Sequence, residues 1–283
     1  MLIQIGLGLA ISAGIGMIAY QRQALSKSGV AGAILTGTII FGFGGWIWGM
    51  LLITFFVLST LLSKYKAQRK ATLAEKFAKG SQRDIWQALA NGGAGTLLAL
   101  ARFWAPHPAL FIAFTGAMGA VNADTWATEL GVLSKRPPRL ITTGKPVELG
   151  TSGGISVLGT LATLAGGLAI GLAAALYMAL DKLFGGPGTE GLGMTGPWPV
   201  VGMLLATSLG ALAGSLCDSL LGATVQVIYY SQGRQKETEK AIDPDGSPNR
   251  QIRGWAWLNN DWVNFISSLT GALVSAAIWV IIM

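Results

Sequence analysis

The sequence predicts an all-α, polytopic membrane helical bundle of about eight spans, a single integral membrane domain over residues 1–283. Three observations carry that prediction. The chain is 52% hydrophobic and only 12% charged, against about 25% charged in soluble domains, and its mean hydropathy is +0.54. Its apolar runs reach the roughly 20 residues that a span requires. Of its 20 Lys and Arg residues, 18 fall in four polar breaks that an eight-span count puts on one side of the membrane.

The spans are read in order as about 2–20, 29–44, 45–63, 85–105, 108–130, 153–180, 199–229 and 258–281. The first lacks a basic leader and a small-residue cleavage site, so it reads as a retained helix. The second is short and Gly-rich, and turns at Gly42-Phe43-Gly44-Gly45 into the third. These two form either a tilted pair or a half-span and a span. Glycines, 40 in all, scatter through the apolar runs, as in membrane helices that pack through small residues.

The basic breaks are 21–28, 64–84, 135–152 and 230–257. The positive-inside rule makes that side cytoplasmic and both termini external. The same bias accounts for the net charge of +7, and no nucleic-acid motif competes with it. The 64–84 break reads as an amphipathic cytoplasmic helix on anionic lipid. The 230–257 break, with Pro244, Gly246 and Pro248, reads as a mobile lid or a solvated linker. Cys217 is the single cysteine, which excludes an intramolecular disulfide and argues against a zinc cluster.

Polar residues gather at the cytoplasmic ends of the later spans. GAVNADTWATELG (119–131) brings Asn122, Asp124 and Glu129. SLCDSLLGATVQ (215–226) brings Asp218, and NNDWVNFISS (259–268) brings Asn260, Asp261 and Asn264. Asn91 lies in the cytoplasmic part of the fourth span. A charge at membrane depth costs about 2.5–3.5 kcal/mol on insertion scales. For a single acid, pairing between helices is explanation enough. A set of them at one level reads as a polar cavity or cation site. Asp124 and Glu129 are five residues apart, about 140° around a helix, and do not chelate one ion unless the helix breaks. Asp261, Asn264 and Ser268 form one stripe that could face Asp218. A weak internal repeat is also visible: Gly116-Ala117 precedes Asp124 by the spacing at which Gly210-Ala211 precedes Asp218.

The opposite charge comes from 135–156. Thr142-Thr143-Gly144-Lys145 places hydroxyls and an ammonium in a turn. Gly150-Thr151-Ser152-Gly153-Gly154 then runs into the sixth span. Such a turn at a helix N-terminus suits a phosphate; the plain alternative is an N-cap at Ser152. Carboxylates beside phosphate-binding groups suggest Mg²⁺ bridging protein and phosphate oxygens, and a membrane setting suggests a lipid phosphate.

Those three stretches, with ITTGKPVELGTSGGIS (141–156), resemble the integral membrane family that includes the chloroplast phytyl-phosphate kinase of the vitamin E pathway. The resemblance runs from about Asn91 to the C-terminus and also fits the Gly-rich N-terminal spans. It implies a kinase, dependent on CTP or another NTP, that converts a prenyl monophosphate such as phytyl phosphate to the diphosphate. On chemical grounds Asp124 and Asp218 would hold Mg²⁺, with Asp261 a third ligand or a partner of one. Glu129 would orient Lys145 or bind the metal. Asn91, Asn122, Asn260 and Asn264 would bond phosphates, nucleotide or metal-bound water. Lys145 and the Thr151-Ser152-Gly153-Gly154 turn would cradle phosphates. The prenyl tail would lie between Gly-rich helices, open to the cytoplasmic leaflet. The acceptor is already an anion, so no general base is required, and His107 reads as an external loop residue. Two alternatives share these groups: a transporter of a small anion or lipid phosphate, and a lipid nucleotidyltransferase.

Overall fold

The computed structural model describes residues 1–65, 82–186, 188 and 196–283. Among them are eight helices: α1 (Leu2–Gln21), α2 (Lys27–Ile39), α3 (Trp46–Lys64), α4 (Ile85–Trp104), α5 (Pro108–Gly131), α6 (Val157–Leu183), α7 (Pro197–Thr224) and α8 (Asn260–Ile282). Six segments are long and apolar enough to cross a membrane: α1, α2 with the turn that follows it, α3, α6, α7 and α8. The other two, α4 and α5, carry Asn91 and the Asn122–Glu129 cluster. The expected amphipathic helix at 64–84 falls largely on 66–81, outside the described residues.

Local signals set the helix starts. Ser26 caps α2 by accepting from the Gly29 N–H. Asp84 and Gln87 form a reciprocal capping box on α4, which satisfies two otherwise orphaned donors. His107 caps α5 with Pro108 behind it, so it serves a helix end, not chemistry. The second and third spans join through a π-helical turn, Ile40–Gly44, and through Gly45 at φ +94°. The turn packs on both helices, while α2 itself packs against α1 and α4.

Two expected boundaries move. The sixth span begins at Val157, capped by Ser156 and not Ser152, because Gly153 takes φ +83° and Gly154–Ile155 is a strand. The seventh ends at Thr224, because Ile228–Ser231 is also a strand. The loop strands form two small antiparallel sheets. β1 (Arg139–Leu140) pairs with β2 (Gly154–Ile155), Arg139 opposite Ile155. β3 (Ile228–Ser231) lies between β4 (Lys236–Thr238) and β5 (Arg250–Arg253). The 230–257 break is therefore not a solvated linker. It is a folded sheet tied by buried Asp243, which accepts from Ser231 and Asn249 and pairs with Arg234.

Helix α5 is the hub. Every residue from Phe111 to Ala123 is buried, against α3, α4, α6, α7 and α8. Small residues make its close crossings possible. A β-carbon at Gly116 would stand 2.5 Å from the Gly271 carbonyl oxygen of α8, and one at Gly210 of α7 would stand 2.6 Å from the same oxygen. Asp124 and Asp218 each follow their glycine by eight residues, about 12 Å of helix rise. The spacing that resembled a repeat is thus a packing register that sets both acids at one depth. Leu2, Ile3, Leu161 and Leu273 are exposed on the outer helix faces, where a bilayer would cover them. Trp48 is buried in the core, its ring centre 4.4 Å from that of Phe114.

Candidate active site

The connections α1–α2, α5–α6 and α7–α8 meet at one end with the described ends of the α3–α4 connection, Lys64 and Arg83. Arg83 donates its N–H to Ala24 and accepts from Ser26, both at 3.0 Å. The Lys64 ammonium reaches the Arg22 carbonyl. On the other side, the Ser152 hydroxyl donates to Gln226 at 3.0 Å. Between these junctions opens a cavity of about 670 Å³.

Eleven residues expected to form a site line this cavity: Asn91, Asp124, Glu129, Thr151, Ser152, Gly153, Gly154, Asp218, Asn260, Asp261 and Asn264. Helices α4, α5, α7 and α8 supply the acids and amides, and the β1–β2 hairpin supplies the turn. That turn is held by contact: a β-carbon at Gly153 would stand 2.5 Å from Ala223 Cβ at the end of α7. The N-terminus of α6 lines the cavity too, through Ser156 and Gly159.

Two expected residues are not in the cavity lining. Asn122 is fully buried between helices, where its Nδ2 donates to the Gly166 carbonyl of α6 at 2.9 Å. Lys145 is exposed on the hairpin, past Gly144 at φ +67°. Among the described residues, Arg83 is a cation that interacts with Glu129. Burial lowers the Arg83 guanidinium to about 10, with Glu129 opposing the shift, so it stays charged at neutral pH.

Asp124, Asp218 and Glu239 interact electrostatically, and the Ser267 hydroxyl donates to Asp218 at 3.3 Å. Asp261 is not brought to that group. It stands six residues before Ser267 on α8, about 9 Å along the axis. Among the described residues, no three His, Cys, Asp or Glu side chains converge closely enough to hold a metal ion. A preformed three-carboxylate site of Asp124, Asp218 and Asp261 is therefore absent. The hard oxygen donors of Asp124 and Asp218 still fit Mg²⁺, which is commonly held by one or two carboxylates together with phosphates and water. Ser267, not Ser268, faces Asp218; the Ser268 hydroxyl returns to the Phe265 carbonyl.

Two cavity groups escape a sequence reading, Arg83 and Glu239, and so does the buried link that positions Glu239. Gln226 is 1% exposed. Its Oε1 accepts from Ser152 and its Nε2 donates to Glu239 at 2.9 Å. One amide thereby ties the hairpin turn to the three-stranded sheet. Arg253 anchors the same sheet by donating to the Gly222 and Ala223 carbonyls, each at 2.9 Å. Only the placement of Gln226 inside the SLCDSLLGATVQ stretch hinted at a role. At the opposite end of the bundle one further acid is buried: Asp181, which accepts from the Trp46 indole at 2.6 Å.

The chain is 35% identical to Protein PGR of Arabidopsis thaliana, over 94% of this chain and 93% of that protein. It is 30% identical to the uncharacterized membrane protein MJ0933 of Methanocaldococcus jannaschii, over 98% and 95%. It is 27% identical to Protein VTE6, chloroplastic, of Arabidopsis thaliana, over 89% of this chain and 64% of that protein. No solved structure matches. The model of integral membrane protein DUF92 matches residues 10–272, and the chain belongs to that family.

Proposed function

We propose that the protein is a membrane-embedded prenyl-phosphate kinase. It transfers a phosphoryl group from CTP or another nucleoside triphosphate to a prenyl monophosphate, such as phytyl phosphate, giving the diphosphate. The observation that carries this reading is the cavity, where carboxylates, one buried cation and a Gly/Ser/Thr turn meet at the end of the bundle that bears the basic loops. The motif resemblance to a family containing a chloroplast phytyl-phosphate kinase supplies the reaction, and similarity to the chloroplastic protein VTE6 accords with that resemblance. In this reading the site faces the cytoplasmic, or stroma-equivalent, side, which the basic loops support.

In this reading an oxygen of the acceptor phosphate attacks the γ-phosphorus. The bond from that phosphorus to the β–γ bridging oxygen breaks, and a nucleoside diphosphate leaves. The acceptor oxygen is already anionic, so no residue need remove a proton. Phosphoryl transfer then depends on positioning and charge neutralisation. Asp124 and Asp218 would hold Mg²⁺, which when bound offsets the charge of the phosphate oxygens. Backbone N–H groups of the Thr151–Gly154 turn would hold nucleotide phosphates. Glu129 would position Arg83, and Asn91, Asn260 and Asn264 would orient phosphate or water.

The test is product identification. Purified protein is incubated with Mg²⁺, phytyl or geranylgeranyl monophosphate and each of CTP, ATP, GTP and UTP, and the lipid is weighed by mass spectrometry. A prenyl diphosphate with NDP is the expected outcome. A nucleotidyl-lipid would move the assignment to a transferase. No product from folded protein with any donor would overturn the kinase and leave transport as the account of the acids.

A further inference from the structure

The polar cavity continues past α4. A half-open apolar crevice of about 80 Å³ lies between α1, α2, α3 and α4, and Arg83, Gln87 and Asn91 line both spaces. Gln87 and Asn91 are four residues apart and share a face of α4, and Arg83, just before the Asp84 cap, lengthens the stripe they form. On the cavity side the stripe meets Glu129 and the hairpin turn. On the crevice side it meets Ala33 of α2 and Ile53 and Phe56 of α3.

Arg83 stands at the boundary. Its backbone is pinned to the α1–α2 turn. Its guanidinium lies 5.7 Å from the Phe55 ring centre and 5.4 Å from that of Phe56. It is the one cation lining the cavity among the described residues. A molecule that spans a polar and an apolar space must put its head-to-tail boundary at their junction, and an anionic head belongs beside the cation.

Resting on the kinase reading, we propose that the crevice receives the head-proximal part of the prenyl chain. Arg83 holds the monophosphate at the cavity side, and the remainder of the chain runs out along the lipid-facing helices. The size of the crevice suits only the first part of a chain, so the crevice contacts that part and not the chain's full length.

The test is photolabelling of the full chain in lipid nanodiscs. The probe is a geranylgeranyl monophosphate analogue carrying a diazirine in its first isoprene unit. Labelled peptides are expected within residues 25–57 and 82–92, and excess geranylgeranyl monophosphate should remove the label. Ala33→Phe should lower that labelling about tenfold or more, since it takes up apolar space the chain would fill. Arg83→Gln should weaken competition by the monophosphate but not by geranylgeraniol, a readout that a merely structural arginine would not split. Competed label on α6–α8, with prenyl diphosphate still formed, would overturn the placement and leave the kinase standing. Competed label in the crevice without turnover would support the chain site and overturn the kinase. Neither label nor turnover would overturn both. If Ala33→Phe fails to fold, the label map on the parent chain decides.

Discussion

Gln226 joins two loop structures that share no covalent neighbourhood, and its replacement tests the cavity directly. Gln226→Met keeps side-chain length and removes both hydrogen bonds. The bond from Ser152 is neutral and contributes about 1 kcal/mol net; the bond to Glu239 involves a charge and contributes about 1.5–3 kcal/mol. Glu239 and Ser152 both line the polar cavity, so solvent entering it would recover part of this. The expected loss is about 2–4 kcal/mol, confined to the hairpin and sheet. Thermal unfolding in detergent should show a melting point several degrees lower. Limited proteolysis should cleave within 228–253 faster than in the parent. Turnover should fall with it, because the turn and Glu239 would no longer hold their spacing. A Gln226→Met protein with parental melting, proteolysis and turnover would refute the claim that this amide assembles the cavity.

Asp124→Asn and Asp218→Asn should each abolish prenyl diphosphate formation while the protein inserts and purifies normally; full activity in either variant removes that residue from the site. Gly116→Ala should cost about 1–3 kcal/mol by overpacking the α5–α8 crossing, seen as a lower melting temperature, and an unchanged melt would contradict the crossing. The Asp243 carboxyl is held down at about 2 by hydrogen bonds from Asn249 and Ser231 and by Arg234, below its ordinary 3.8. A depressed carboxyl stabilises above its unfolded pKa and loses that contribution as pH falls through the folded one. The three-stranded sheet should therefore loosen between pH 4 and 2, read by proteolysis with an acid-stable protease. Asp243→Asn should flatten that response, having already lost the charge.

Helices, their order and the end at which polar groups gather were legible in the sequence, because each rests on a local quantity. Apolar length marks a span, but the cap of α6 was misplaced at Ser152, because the turn through Gly153 delays it to Ser156. Counting Lys and Arg sorts the loops without any knowledge of packing. The depth of Asp124 and Asp218 was half legible: their equal distance from Gly116 and Gly210 was visible, but its meaning needed the shared contact at Gly271. What only the tertiary structure decided lies in the loops. Arg83 sits among seven basic residues of one break, and nothing local separates it from the other six. Glu239 lies in a stretch that reads as linker, and reaches the cavity because Arg253 and Gln226 dock its sheet on the end of α7. Lys145 is carried to the hairpin surface by the turn through Gly144, and Asn122 is spent on α6. Hydrophobic periodicity encodes which face of a helix is buried, whereas the position of a loop side chain depends on contacts between segments far apart in the chain, and no spacing within the sequence records those.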